Sequence, residues 1–413
     1  MGIIVNQIDN YTRSRHDSRV IRRVLEPRLA AAAARFPVVT VTGPRQSGKT
    51  TLCRAAFGSK PYASLEDPDT RRFAMEDPRA FLAQYPDGAV IDEIQRAPDL
   101  ASYLQRIVDD RRAPGLFILT GSQHFGVMNT VSQSLAGRSA MLTLLPLSHD
   151  EVRRFDNPPR NLFEALVTGG YPAILDRRLP VGDWLSAYTR TYVERDVRQL
   201  TNVTDLMAFQ TFVRLCAGRT AQLNNLSALA ADTGITHNTA KAWLSVLEAS
   251  YLVHRLPPLH RNLGKRLVKT PKLHFYDSGL ACYLLGIRSS DELVHHPLRG
   301  ALFESWVVSE VVKAHVHSGV EPRLAFYRDS KKREVDLIVK RGRTLLALEI
   351  KSGQTIAPDF FTTLHAFAKL LEAAGTDVSL VLAYGGDTEQ RRSNTRVLPW
   401  SRVAEHPWFA APS

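Results

Sequence analysis

Val38-Val39-Thr40-Val41-Thr42-Gly43-Pro44-Arg45-Gln46-Ser47-Gly48-Lys49-Thr50-Thr51-Leu52 decides how the chain is read. An apolar, β-branched run breaks into Gly-x-x-x-x-Gly-Lys-Thr, and a helical pattern follows. That is the strand, loop and helix context a phosphate-binding loop requires. Gly43 and Gly48 let the backbone curl until its N–H groups face phosphate oxygens. The helix that starts at Lys49 adds the positive end of its dipole beneath them. Lys49 is placed to reach the β- and γ-phosphates of ATP, and the Thr50 hydroxyl to bind Mg²⁺. The loop residues Pro44, Arg45, Gln46 and Ser47, with Thr51 after them, complete the candidate nucleotide contacts.

A second apolar run, Gly88-Ala89-Val90-Ile91-Asp92-Glu93, ends in two acids. Asp92 at the strand end suits Mg²⁺ coordination through water, and Glu93 suits the general base that polarises the attacking water. Leu116–Leu119 predicts another buried strand, and Thr120 and Ser122 at its exit are candidates for a γ-phosphate or water contact. Arg138, after Gly137 and before the strand Ala140–Leu145, is a candidate for stabilising transition-state charge in its own subunit or a neighbour's.

Taken in order, Gly-Pro-Arg-Gln-Ser-Gly-Lys-Thr-Thr-Leu, Val-Ile-Asp-Glu-Ile-Gln, Leu-Thr-Gly-Ser, Leu-Ala-Gly-Arg and Leu-Pro-Leu-Ser resemble the prokaryotic AAA-type ATPases joined to a domain of unknown function. Gly-Gly-Tyr-Pro (169–172), Tyr-Val-Glu-Arg-Asp-Val (192–197) and Phe-Tyr-Asp-Ser-Gly-Leu (275–280) are similar to that family too. The resemblance spans about residues 20 to 400. It implies a five-stranded parallel sheet with helices on both faces and nucleotide at the strands' C-terminal ends. It also implies self-association, in ring oligomers where a neighbour's arginine completes the site. Arg195, beside Asp196, is a second candidate for a phosphate or subunit contact.

The 413 residues exceed one ordinary core, so two or three domains are expected. Apolar and charged fractions of 44% and 23% are those of a soluble globular chain, and no apolar run approaches bilayer length. The N-terminal stretch carries Asp9, Arg13, Arg15, His16 and Asp17 and lacks the apolar core of a secretory signal. Cys53, Cys216 and Cys282 give neither a disulfide framework nor zinc spacing, which points to a reducing cytoplasm. A net charge of +12 suggests an acidic partner such as nucleic acid. Between Gln210 and Ser290, ten Lys/Arg face three acids, so over half of the excess sits in a fifth of the chain.

Within that basic segment, Leu226–Leu247 reads as helix, tight turn at Gly234, helix, and Tyr251–Leu256 as a wing strand. The pattern is that of a winged helix-turn-helix. Its second helix presents Thr236, His237, Asn238, Thr239 and Lys241 to a groove, with Arg255, Arg261, Lys265 and Arg266 toward phosphates. Such modules read DNA or contact proteins, and the basic charge leans toward DNA.

The last block places Glu304 on a helix, Asp336 in the strand Glu334–Val339, and Glu349 and Lys351 in a strand after the turn at Arg341–Arg343. Period two puts Ala347, Glu349 and Lys351 on one face, with Asp336 across the hairpin from Glu349. Converging carboxylates can hold Mg²⁺ and activate a water against a phosphate, with Lys351 orienting it. The set resembles the restriction-endonuclease-like Asp…Glu-x-Lys core, with Glu304 matching the helix acid and Val335 standing where some members have proline. The face is either an active nuclease site or a salt-bridged remnant that contacts DNA or protein.

The expected architecture is therefore α/β: an arm (1–20), a P-loop AAA+ ATPase core with a parallel sheet (21–158), a helical lid (159–215), a winged helix-turn-helix (216–290) and a PD-(D/E)xK nuclease-like α/β domain (291–413). Helices are expected over Arg19–Arg35, from Pro68 to Gln84 and over Asp359–Ala374, a final strand over Ser379–Ala383, and a peripheral tail from Trp400.

Overall fold

The apolar run around the phosphate loop belongs to a sheet buried on both faces, and a parallel sheet of that kind needs unbroken runs of Val, Ile and Leu. The computed structural model describes residues 20–122, 134–192, 205–259 and 268–409. In it β1 (Val38–Thr42), β2 (Tyr62–Ser64), β3 (Ala89–Asp92), β4 (Phe117–Thr120) and β5 (Ser139–Thr143) form one parallel sheet in the order β2-β3-β4-β1-β5. Val38 packs with Phe81, Leu100 and Leu104 on one face. Val39 and Val41 pack with Leu25, Leu29, Leu52 and Cys53 on the other. This is the α/β parallel sheet typical of P-loop ATPases.

The helix expected over Arg19–Arg35 is shorter, Glu26–Ala33, because Pro27 suits a first helical turn and not an interior. The stretch from Pro68 to Gln84 is two helices, Pro68–Glu76 and Pro78–Ala83, since Pro78 cannot continue the first and Asp77 caps the second through the Ala80 N–H.

The chain then runs through short helices, among them Leu162–Thr168, Pro172–Asp176 and Val181–Tyr188. Helix Leu206–Gly218 spans the boundary expected at 215/216, so no break falls there. It packs on helix Leu226–Thr233, which Gly234 ends in the left-handed region before helix His237–Ala249. β6 (Gln222–Leu223), β7 (Val253–Leu256) and β8 (Lys272–Phe275) form a small antiparallel sheet in the order β6-β8-β7.

The third sheet holds β9 (Leu324–Arg328), β10 (Glu334–Arg341), β11 (Thr344–Lys351), β12 (Val378–Tyr384), β13 (Gln390–Arg392) and β14 (Thr395–Pro399), ordered β13-β14-β12-β11-β10-β9. β9, β10 and β11 run antiparallel, while β11, β12 and β14 run parallel. Helix Arg299–His317 covers one face through Leu346, Leu348 and Ile350. Helix Thr362–Glu372 covers the other through Ile338 and Ala347. The tail is not peripheral: Trp400, Val403 and Trp408 are buried in the core cluster that runs from Leu145 onward, and Arg341 donates to the Pro407 and Trp408 carbonyls. Tryptophan at both ends of the segment, with no acid between them until Glu405, is the signal for that burial.

Candidate functional site

At the C-terminal end of β1 the loop turns on Gly43, at φ 142°. A Cβ there would sit 2.1 Å from the Leu144 carbonyl oxygen, so only glycine lets the loop pass the backbone leaving β5. Gly48, at φ 92°, precedes helix Lys49–Ala56. Gln46 is exposed at the loop's tip with φ 63°, and Thr51 is exposed in the first helical turn. The buried Lys49 ammonium folds over the loop and donates to the carbonyls of Gly43, at 3.1 Å, and Pro44, at 2.8 Å. Burial lowers its pKa to about 8, against the pull of Glu93 and Asp92. Ser47 is buried, and its Oγ has no hydrogen-bond partner among the described residues. An orphan hydroxyl inside a glycine loop, beside a lysine with only carbonyls to bind, fits a phosphate.

Thr50 Oγ1 donates to Asp92 Oδ1 at 2.8 Å. Asp92 also accepts from the Tyr62 hydroxyl at 3.0 Å and from the Thr120 hydroxyl. A threonine hydroxyl and a carboxylate from adjacent elements are the hard oxygen donors that Mg²⁺ takes. Glu93 leaves β3 in the left-handed region, φ 59°, which swings its side chain off the strand. Gln95 Nε2 bridges the Glu93 carboxylate and Ser122 Oγ, the latter at 3.0 Å. Thr120 thus orients Asp92, and Ser122 helps to seat Glu93. The sequence gives no role to Tyr62, a tyrosine opening a strand, or to Gln95, which enters only as the last residue of Val-Ile-Asp-Glu-Ile-Gln.

Arg45 lies 5.7 Å from the Tyr192 ring centroid, at the end of a run of aromatic contacts through Tyr188. Arg23 donates to the Ser47 carbonyl at 2.7 Å and to Glu151 at 2.9 Å, bracing the loop from behind. Burial alone would raise the Glu151 pKa, yet Arg23 and His317 bring it down to about 2.

Arg138 is not in this chain's own site. It precedes β5, its carbonyl meets the Val38 N–H at the opposite end of the sheet, and its guanidinium forks onto Asp109 at 2.5 and 2.9 Å. Arg195 lies outside the described residues.

In the basic module Thr236 caps helix His237–Ala249 by accepting from Thr239 N at 3.1 Å. Thr236, His237, Asn238 and Lys241 are exposed together on the first turns, with Thr239 half-buried beside them. Arg255 does not join them: it pairs with Glu248 at 2.5 Å, because the strand returns alongside the helix's far end. Arg261, Lys265 and Arg266 lie outside the described residues.

In the last module Glu304 and Asp336 come together, but the third member is Glu334 and not Glu349. One carboxylate oxygen from each of Glu304, Glu334 and Asp336 lies within 4.8 Å of the others. A register shift between β10 and β9 at Val335–Ile338 breaks the two-residue alternation and re-aims Asp336. The hairpin register runs from Arg341–Thr344 to Leu337–Leu348 and stops short of Asp336, whose Oδ2 accepts from Ile350 N at 2.8 Å. Glu349, however, pairs with Lys351 at 2.5 Å. Glu334, two residues before Asp336, was legible as its same-face neighbour.

Lys272 of β8 enters this group, 2.6 Å from Glu304 and 3.9 Å from Asp336, and paired with Glu334. Burial pushes the carboxyls of Glu304, Asp336 and Glu349 upward and they repel one another, while Lys272 and Lys351 oppose that rise.

The chain is 31% identical, over 381 residues, to the uncharacterised protein Rv2008c of Mycobacterium tuberculosis and, equally, to Mb2031c of Mycobacterium bovis. The aligned part covers 91% of this chain and 82% of theirs. It belongs to their family. Family models place an AAA domain over residues 35–153, one domain of unknown function (DUF8612) over 159–291 and another (DUF4143) over 299–403. Among solved structures, the Walker-type ATPase paby2304 of Pyrococcus abyssi is 14% identical at a TM-score of 0.40, over 63% of this chain and 94% of that one. The parallel sheet and the 35–153 match make this member of the family an AAA-type P-loop protein. Among the described residues no helix is long and apolar enough to cross a membrane. Cys53, Cys216 and Cys282 are buried free thiols.

Proposed function

We propose that the protein is a Mg²⁺-dependent ATPase whose nucleotide cycle drives or gates engagement of DNA by the modules that follow. The observation that carries this is the convergence of Lys49, the orphan Ser47 hydroxyl, the Thr50–Asp92 pair and Glu93 at the C-terminal edge of the parallel sheet. In this reading the loop N–H groups and Lys49 hold the β- and γ-phosphates. Thr50 and, through water, Asp92 hold Mg²⁺, which neutralises charge developing on the phosphate oxygens. Glu93 takes the proton of the attacking water once Gln95 and the entering phosphate have set its carboxylate. The DNA part is supported by the exposed group Thr236, His237, Asn238 and Lys241 on a winged-helix-like arrangement and by the basic charge around it. Self-association belongs to the same proposal: Arg138 reaches a phosphate only in a neighbouring copy.

A second reading is a nucleotide-dependent switch whose nuclease-like last module contacts proteins. One observation favours it: Lys272 already fills the group of acids that a nuclease would give to metal. An ATPase assay with and without duplex and single-stranded DNA, with the DNA recovered and sized, separates the two. The first reading expects turnover that DNA stimulates and that Lys49→Ala abolishes. Unchanged turnover in Lys49→Ala overturns the site, and turnover indifferent to DNA overturns the coupling.

A further inference from the structure

We infer that Lys272 is an internal counter-cation seated where a divalent metal ion would bind, so that the last module takes such an ion only when β8 withdraws. The ammonium is almost fully enclosed, between Glu304 on its helix and Glu334 and Asp336 on β10. One oxygen from each of these three carboxylates lies within 4.8 Å of the others, near enough to close in around one divalent cation. The Phe326 ring closes over it, with its centroid 5.5 Å from Nζ. On the next strand Glu349 is buried; its Oε1 pairs with Lys351, while its Oε2 has no hydrogen-bond partner among the described residues.

Charge makes the substitution natural. Four carboxylates (Glu304, Glu334, Asp336, Glu349) face three cations, Lys272, Lys351 and Arg328, the last 3.1 Å from Glu334. Without Lys272 two negative charges stand uncompensated, the amount one divalent cation supplies. Burying them unpaired is costly, so without the lysine the cluster takes up either a metal ion or protons, and Mn²⁺ titration reads the first. Lys272 comes from the stretch 159–291 and the acids from 299–403; Leu273 and Phe275 of β8 share one buried core with helix Arg299–His317, so the exchange requires β8 to peel locally from that helix. The lysine's strand pairs with β7, just after Tyr251, whose hydroxyl lies 3.3 Å from Thr42 Oγ1 at the phosphate loop.

This inference rests on the nuclease-like reading of the module only for its metal ligands, and its readout is cation binding, not DNA cutting or ATP turnover. Nucleotide-free full-length protein is titrated with Mn²⁺ and free ion is followed by electron paramagnetic resonance. Wild type should show no Mn²⁺ site that Glu304→Gln removes. Lys272→Met should gain one, tighter by about tenfold or more than any wild-type binding, and adding Glu304→Gln should remove it. A Glu304-dependent site of equal affinity in wild type overturns the inference, as does Lys272→Met with no gain. If Lys272→Met is unstable, recovery of its melting temperature by Mn²⁺ supports the inference and no response overturns it. Lys272→Arg, which keeps the charge, should stay as blind to Mn²⁺ as wild type; a gained site there counts against it.

Discussion

Thr50 donates its hydroxyl to Asp92 Oδ1 across 2.8 Å, and so joins the first turn after the phosphate loop to the end of the strand two places away in the sheet. Glu93, the next residue, points elsewhere, held by Gln95. The two acids are therefore separable. Asp92→Asn should weaken Mg²⁺-dependent nucleotide binding and turnover together. Glu93→Gln should leave nucleotide binding intact and lower kcat by about 10²–10⁴-fold, the range for loss of a general base. Fluorescent-nucleotide binding beside phosphate release checks both. Equal loss of binding in the two variants would contradict the assignment.

Lys49 without phosphate has a pKa lowered to about 8 by burial. A bound triphosphate favours the ammonium and raises that value. Above pH 8 nucleotide binding should therefore take up a proton, and below pH 7 it should take up almost none. Calorimetry in two buffers of different ionisation enthalpy measures this directly, and Lys49→Met should abolish the difference.

Tyr251 ties the middle module to the ATPase sheet, since its hydroxyl lies 3.3 Å from Thr42 Oγ1 and 3.4 Å from Thr143 Oγ1. Its φ of 55° fixes the turn from helix His237–Ala249 into β7. Removing only the hydroxyl, Tyr251→Phe, should cost about 1 kcal/mol of stability, the usual worth of such a hydrogen bond. Basal turnover should stay within about twofold while stimulation by DNA falls. Parallel melts and ATPase assays with duplex DNA test this.

The phosphate loop and the acid pair were legible because each couples an apolar strand to a short motif that only one backbone path satisfies. Tyr62, Gln95 and Arg23 were not, since they reach Asp92, Ser122 and the Ser47 carbonyl across elements far apart in sequence. The acid cluster was legible in part. Glu304 and Asp336 followed from the motif, but the register shift at Val335–Ile338 upset the two-residue alternation on which Glu349 had been placed beside them. Lys272 read as one of ten basic residues for DNA. Only the packing of β8 against helix Arg299–His317 shows that it faces inward. Trp408 went unrecognised because a tail's burial depends on what lies beneath it.

The junction between the ATPase sheet and the last module should fail in acid through a specific histidine. His317 ends helix Arg299–His317, is fully buried, and accepts the Leu145 N–H at 3.1 Å through Nε2. Burial, with help from Arg23 and Lys313, lowers its pKa to about 4, although Glu151 pulls the other way. Its unfolded value is near 6.5, so between pH 6.5 and 4 the unfolded chain binds the extra proton. Stability from the neutral ring is complete above pH 6.5 and is lost as pH falls toward 4, by about 3 kcal/mol in all. Glu151, held near 2, loses its contribution only below pH 4.5, so above that pH the fall belongs to histidine alone. His149, also lowered to about 4, shares the first window. Urea melts from pH 7 to 4.5 should show stability falling with pH. His317→Gln, which keeps an acceptor for Leu145 but cannot titrate, should flatten that fall by one proton's worth. An unchanged slope would mean that the ring is already charged in the folded protein.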